Sequence, residues 1–124
     1  MEFTEIKSSE EAFIAGYGDG GFRMGEQRFK GSMLITPSGF YPWDVVDVAD
    51  ITIDSLKPVF ENQADIELLI IGMGQGMAFA PKDVKQALGK VNIAVEVMDT
   101  GAAARTYNVL LQEGRMVTAA LIAI

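Results

Sequence analysis

The chain contains no cysteine and no histidine among its 124 residues. This absence excludes Cys and His nucleophiles, the serine triad with its imidazole base, thiolate redox chemistry and iron–sulfur clusters. Zinc sites lose their usual ligands as well. A carboxylate-bound Mg²⁺ or Ca²⁺ is the metal alternative that stays open, although no spaced Asp/Asn cluster resembles a calcium-binding loop. We therefore expect no metal site, no cofactor and no disulfide-stapled scaffold.

Basic residues are scarce, with 10 Lys and Arg against 17 Asp and Glu, which gives a net charge of −7. Binding to a phosphate backbone depends on cations that release counterions, so we do not expect a nucleic acid partner. Apolar residues make up 49% of the chain and charged residues 22%, which is typical of a packed globular protein. The length predicts a single domain over residues 1–124.

Long apolar runs are also missing. Residues 68–71 and 119–124 are apolar but fall far short of the ~20 residues that a membrane-spanning helix needs. Residues 1–11 contain four glutamates and lack the basic and apolar regions of a signal peptide. We therefore expect a soluble, cytoplasmic protein with no membrane insertion.

The first part of the chain has the pattern of β-hairpins. The glycine-rich residues 18–21 and Gly25 favour tight turns, and apolar side chains alternate with polar ones over residues 28–36, as in a sheet with one wet face. We predict a β-ribbon portion over residues 1–45. Its aromatic cluster of Phe40, Tyr41 and Trp43 is either core or a partner-binding patch.

A helix over residues 54–62 is predicted next, with Asp54 as its N-cap and Pro58 limiting its length.

The second part of the chain, residues 64–124, alternates apolar strands with helices. We predict three inner strands, over residues 66–71, 93–98 and 116–124. The helices between them are predicted from Pro81 to residue 88, with Gly89 as C-cap, and from Asp99-Thr100 as N-cap through residue 112, ended by Gly114. This order, β-α-β-α-β, favours parallel strands joined by right-handed crossovers.

Glu96 is the only charged residue within the apolar strand predicted over residues 93–98. Burial of an unpaired carboxylate costs several kcal/mol. We therefore expect Glu96 at the sheet edge or beside a cation, unless it has a function.

A glycine-rich turn directly follows the first of these strands. Gly72, Gly74 and Gly76 would let backbone amides approach a phosphate or another small anion. A dinucleotide fingerprint would need a third glycine at the position of Met77 and a helix that begins at once, and both conditions fail. Asp99 lies near the spacing at which an acidic residue contacts a ribose in such folds, so nucleotide binding stays open as an alternative. The alternative is structural: the glycines permit a tight strand exit and a close helix contact.

Polar residues follow the next strand. Because ligands bind at the carboxyl ends of strands in open α/β sheets, we expect the glycine turn and the pair Asp99-Thr100 to lie at the same edge of the sheet. The remaining polar candidates for a binding site are Arg105, Asn108 and Arg115.

The candidate catalytic residues are Asp99, as a general base, and Arg105 or Arg115, as an anion-stabilising cation. In the structural alternative Asp99 and Thr100 cap a helix, Asn108 bonds backbone groups, and Arg115 pairs with a carboxylate near a helix C-terminus.

Several of these segments resemble a widespread uncharacterised domain family. Its eukaryotic relatives include mitochondrial complex I assembly factor three and the adipogenesis-associated domain-containing protein. The resemblance is specific over residues 69–122. It rests on Gly72-x-Gly74, Pro81, Val95-Glu96-Val97-Met98-Asp99-Thr100, Thr106-Tyr107-Asn108, Glu113-Gly114-Arg115 and Ala119-Ala120-Leu121-Ile122.

The resemblance implies a three-layer α/β fold with a mixed central sheet and an added β layer. It also implies a binding role in the assembly of a protein complex. Our leading hypothesis is a non-enzymatic binding or assembly module, with a protein partner or a second copy of itself. The competing hypothesis is a domain, or small enzyme, that binds a small anionic ligand in the crevice at Gly72–Gly76.

Overall fold

Residues 3–5 and 12–124 are described by a computed structural model of the chain. Most of residues 1–11, which we interpreted above as lacking a signal peptide, lie outside the described residues. The strands are β1 (Thr4–Glu5), β2 (Ile14–Gly18), β3 (Gly21–Met24), β4 (Gln27–Lys30), β5 (Met33–Thr36), β6 (Gly39–Pro42), β7 (Leu68–Gly72), β8 (Ala94–Met98) and β9 (Val117–Leu121). The helices are α1 (Lys57–Glu61), α2 (Lys82–Lys90) and α3 (Thr100–Gln112).

The main sheet has six strands in the order β1-β6-β5-β9-β7-β8. β7 runs parallel to both β8 and β9, whereas β5 is antiparallel to β9 and to β6. Every residue of β7 and β9 is buried, because strands inside such a sheet are covered on both faces. The sheet is therefore mixed, as the family resemblance implied.

A second sheet contains the antiparallel strands β2-β3-β4. Its Phe22 and Met24 share a buried apolar cluster with Ala103 and Tyr107 of α3 and with one face of the main sheet. The opposite face of the main sheet forms another cluster, with α2 contributing the buried Leu88. The predicted three-layer α/β architecture with an added β layer is confirmed.

The strand predicted over residues 93–98 is not an inner strand, because β8 lies at the edge of the main sheet. Its residues are exposed or half-buried, and Glu96 is exposed. An edge position lets the carboxylate remain in water, which is one of the placements expected for Glu96.

The alternation over residues 28–36 spans two sheets rather than one. β4 belongs to the small sheet and β5 to the main sheet, and Gly31, whose φ is +89°, lies between them. Leu34 breaks the alternation, since it is apolar at a position where the pattern would place a polar residue. It is buried because β5 is covered on both faces. Phe40 and Trp43 are buried in the core, and Tyr41 is half-buried.

Helix boundaries differ from the prediction where proline intervenes. Instead of a helix over residues 54–62, a 3-10 turn (Asp54–Leu56) precedes the short α1, and Asp54 does not act as its N-cap. Pro58 has no N–H to donate, so it fits only the first turn of α1. Pro81 occupies the N-cap position of α2 rather than its first turn, and α2 continues past Gly89 to Lys90.

Helices long and apolar enough to cross a bilayer are absent from the part of the chain that the structure describes.

Candidate functional site

The carboxyl ends of β7, β8 and β9 meet at one rim of the main sheet. The N–H of Met73 donates to the carbonyl of Met98 at 2.8 Å, which joins the exits of β7 and β8. The hydroxyl of Thr100 accepts from the N–H of Gly74 at 2.9 Å and donates to the carbonyl of Ile122 at 2.7 Å. The structure therefore brings the glycine turn and Asp99-Thr100 to the same edge of the sheet.

Thr100 is completely buried at this rim. Its hydroxyl already makes two hydrogen bonds, and its N–H donates to the carbonyl of Gly74 at 2.8 Å. The side chain therefore fixes the turn and the start of α3 rather than facing solvent.

The three glycine positions of the turn differ in whether, and why, a side chain would be disfavoured there. A Cβ added at Gly72 would lie 2.9 Å from the hydroxyl oxygen of Thr100 and 3.0 Å from Cδ2 of Leu121. Gly74 has a φ of +89°, which disfavours other residues, whereas a Cβ at Gly76 would meet nothing within 4 Å. The amides of Met73 and Gly74 are already bonded within the protein, so they are not free to bind an anion.

Asp99 is the N-cap of α3, and its Oδ1 accepts from the N–H of Ala102 at 2.9 Å. Arg105 lies farther along the helix and donates to the hydroxyl of Tyr17 on β2. Among the described residues no hydrogen bond or ion pair joins Asp99 to Arg105. The geometry thus places the two candidate catalytic residues in separate structural contacts, and their proposed catalytic roles stay predictions.

Asn108 fastens the small sheet to α3. Its Oδ1 accepts from the N–H of Ile14 at 2.9 Å, and its Nδ2 donates to the carbonyl of the same residue at 2.8 Å. The side chain thus bonds β2 as a neighbouring strand would, away from the glycine turn.

Arg115 lies at the other end of the strands, because it precedes β9 and pairs with Glu67, which precedes β7. Its Nε is 2.7 Å from Oε1 of Glu67. The hydrogen bond from Arg115, and a second from the N–H of Met116, lower the pKa of Glu67. Arg115 is therefore not part of the rim where we expected a ligand.

An open groove of about 430 Å³ runs beside the glycine turn. Its lining comes from residues 73–75, residues 46–48 and residues 122–124. Met73 and Ile122 are buried at its base, while Val46 is 83% exposed. Except for Asp47 and Gln75, the side chains of this lining carry no polar group.

The loop over residues 75–80, which we call the rim loop, leaves this groove and leads to α2. Met77 and Phe79 on this loop are 81% and 92% exposed, while Ala78 and Ala80 pack against the core cluster on the α2 side. Our sequence reasoning weighed the glycines of this segment and missed its apolar side chains. The signal was available, since two large apolar residues stand between a glycine turn and a proline.

No group of three or more Asp, Glu, His or Cys side chains within residues 3–5 and 12–124 is arranged to hold a metal ion. The exposed side chains near this rim include the apolar Met77 and Phe79 as well as the polar Asp47 and Gln75. Such a surface is suited to contact with another molecule.

Known proteins resemble this chain in sequence, and solved structures resemble it in fold. An uncharacterised protein of Rhodobacter capsulatus is 38% identical over 109 residues, covering 88% of this chain and 82% of its own. The human NADH dehydrogenase [ubiquinone] 1 alpha subcomplex assembly factor 3 is 34% identical over 122 residues. That match covers 98% of this chain but 66% of the human protein, so the chain spans slightly less than two thirds of that relative.

A crystal structure of a protein from Bartonella henselae, described as an outer membrane protein, superimposes with a TM-score of 0.87 and 38% identity. The match covers 93% of this chain and 97% of that one. A family model matches residues 14–122, which include every strand from β2 to β9. The chain belongs to this family, described as a protein of unknown function (DUF498/DUF598).

Proposed function

We propose that this protein is a binding module that helps a protein complex to assemble, and that it holds its partner on the rim loop. The observation that carries the proposal is the near-complete exposure of Met77 and Phe79. Large apolar side chains at the centre of an interface supply much of its binding free energy. Burying one such side chain contributes about 1.5–3 kcal/mol.

The attachment of the rim loop to the rest of the fold supports this role. The hydrogen bonds of Thr100 to Gly74 and Ile122 fix the turn from which the rim loop starts, and Ala78 and Ala80 fasten it to the core. A loop whose start is fixed and whose alanines pack on the core loses less conformational entropy when it binds than a free segment would, which favours affinity.

The relatives named NADH dehydrogenase [ubiquinone] 1 alpha subcomplex assembly factor 3 suggest the class of complex. By analogy, the partner of this chain is a subunit of a respiratory NADH dehydrogenase. Action in the cytoplasm, expected from the sequence, remains part of the proposal.

The test compares the wild-type chain with the double variant Met77→Ser/Phe79→Ser in cells that lack the native protein. We expect the wild type to co-purify with identified NADH dehydrogenase subunits and to restore the assembled complex on native gels. The double variant should lose both. Val109→Ser is the matched control, because Val109 is 54% exposed on α3 and lies outside the rim loop.

Equal co-purification and equal assembly for wild type and double variant would refute the role of the rim loop. Absence of any NADH dehydrogenase subunit with the wild type would refute the assembly function.

The groove beside Gly74 favours a second candidate, the binding of a small ligand. Its volume of about 430 Å³ lies within the usual range of ligand pockets. Thermal-shift screening with nucleotides, phosphates and carboxylates tests this candidate. A stabilisation that is lost in Gln75→Ala, whose side chain lines the groove, without loss of the fold, would support it, and a flat response would count against it.

A further inference from the structure

The β8 strand leaves one edge of the main sheet open. Within the described part of the chain it pairs only with β7. The pairing is parallel and continuous from Leu68↔Ala94 to Gly72↔Met98, with no bulge.

The ends of this pairing show which backbone groups of β8 are used. The N–H of Ala94 donates to the carbonyl of Glu67 at 3.0 Å, and the carbonyl of Met98 accepts from Met73 at 2.8 Å. Backbone groups of a strand point alternately to its two sides. Val95 and Val97 therefore direct both their N–H and their C=O groups away from β7, towards the open edge.

The other sheet edges in the described residues are protected. On β2 the side chain of Asn108 bonds both backbone groups of Ile14, and the pairing with β3 is irregular between Ile14 and Gly16. On β4 the exposed Lys30 carries a charge, whereas Arg28 reaches across the small sheet to the carbonyls of Gly18 and Asp19. The described part of β1 has only 2 residues. Bulges, charges and short strands are the devices that prevent unwanted strand pairing.

β8 has few of these devices. It has five residues, with no proline and no glycine, and its valines favour strand pairing. Val95 and Val97 pack against the α2-side cluster, while the exposed Glu96 lies on the opposite face and is the single charge of the strand.

Glu96 disfavours a second copy of this chain at the open edge. If two β8 strands paired antiparallel with full overlap, Val95 would lie opposite Val97 and Glu96 opposite its own copy. Like charges directly opposite each other on neighbouring strands are destabilising. A strand with a cation at that position gains a favourable pair instead.

We propose that the β8 edge takes up an extended, antiparallel segment of a partner protein, with Lys or Arg opposite Glu96. Main-chain hydrogen bonds to Val95 and Val97 supply affinity, and the pair with Glu96 sets the register. The inference rests on the proposed binding function, because it names the kind of segment that the partner contributes.

Two capped peptides test the proposal on the isolated protein by NMR. One is Thr-Val-Lys-Val-Thr and the other is Thr-Val-Glu-Val-Thr. We expect the lysine peptide to shift the amide signals of Val95 and Val97 and to bind about threefold to tenfold more tightly than the glutamate peptide. In Glu96→Lys the preference should reverse.

Val97→Pro removes an N–H that the pairing with β7 does not use, and proline is tolerated at such edge positions. It should weaken binding of the lysine peptide about tenfold. Val97→Ala is the matched control, because it shortens the same side chain but keeps the N–H, and it should bind almost as the wild type does. Thermal unfolding shows whether each variant is folded. If Val97→Pro does not fold, the reversed peptide preference expected for Glu96→Lys tests the proposal.

Equal affinity for both peptides, or shifts confined to residues outside β8, would overturn the strand-pairing proposal. Neither result would affect the assembly function, whose test uses the rim loop and intact cells. Conversely, a chain that binds the lysine peptide but never co-purifies with NADH dehydrogenase subunits keeps its strand site and loses the assembly role.

Discussion

Gly74 and Thr100 are joined by two hydrogen bonds across the rim of the sheet. The N–H of Thr100 donates to the carbonyl of Gly74 at 2.8 Å, and the N–H of Gly74 donates to the hydroxyl of Thr100 at 2.9 Å. The residues are separated by 26 positions, so these bonds tie the exit of β7 to the start of α3. The glycine turn is thus part of the scaffold that presents the rim loop.

Replacing Thr100→Val keeps the shape of the side chain and removes its hydroxyl. The N–H of Gly74 and the carbonyl of Ile122 would then be left buried without this partner, so we expect the free energy of unfolding to fall by about 1–3 kcal/mol. Urea denaturation measures the change. Thr106→Val is the control, because Thr106 lies on the same helix but is half-buried. It should change the free energy of unfolding by less than about 0.5 kcal/mol. An equally small effect of Thr100→Val would contradict this account.

Gly72→Ala and Gly76→Ala separate the two glycine positions. A Cβ at position 72 would press on Thr100 and Leu121, while one at position 76 meets open space. We expect Gly72→Ala to lower the melting temperature, with a cost of about 1–3 kcal/mol, and Gly76→Ala to leave it nearly unchanged. A neutral Gly72→Ala would show that α3 does not approach the turn this closely.

Asn108→Ala tests the attachment of the small sheet. Loss of both bonds to Ile14 should cost about 1–3 kcal/mol and speed hydrogen exchange at the amide of Ile14. Gln112→Ala, one turn farther along α3 and exposed, is the control and should have little effect. Unchanged exchange at Ile14 in Asn108→Ala would refute the role of this side chain.

The pair of Glu67 and Arg115 predicts a pH dependence. Arg115 lowers the pKa of Glu67 in the folded chain, so the ionised pair stabilises the fold. This stabilisation is fully present above the unfolded pKa of about 4.3. It is lost as the pH falls through the lower pKa of the folded chain. We expect wild type to melt at a slightly higher temperature than Glu67→Gln at pH 7, and the difference to shrink as the pH falls below the unfolded pKa of Glu67. A difference that grows on acidification would contradict the pairing.

The order of elements in the second part of the chain could be predicted because its signals are local. The apolar residues of β7 and the N-cap at Asp99 lie within single segments, so both were predicted from composition and spacing. The meeting of the glycine turn with Thr100 also followed, since it depends only on parallel strands having their carboxyl ends together.

Strand order and side-chain direction could not be predicted in the same way. Placement of β8 at the edge depends on β9 pairing with both β5 and β7, which no local pattern encodes. Arg105 and Asn108 turn towards β2, about 90 residues away in sequence, so their contacts are set by tertiary packing. The exposed pair Met77 and Phe79 was missed for a different reason. Its signal is local, because two large apolar residues stand between a glycine turn and Pro81 in the sequence.

Site-specific photo-crosslinking in living cells tests the central claim most directly. A photoreactive amino acid is placed at position 79 in one sample and at position 109, on exposed α3, in another. The account predicts that position 79 crosslinks to an NADH dehydrogenase subunit and that position 109 does not. Crosslinks to such a subunit from position 109 alone, or equal yields from both positions, would contradict the claim that the rim loop holds the partner.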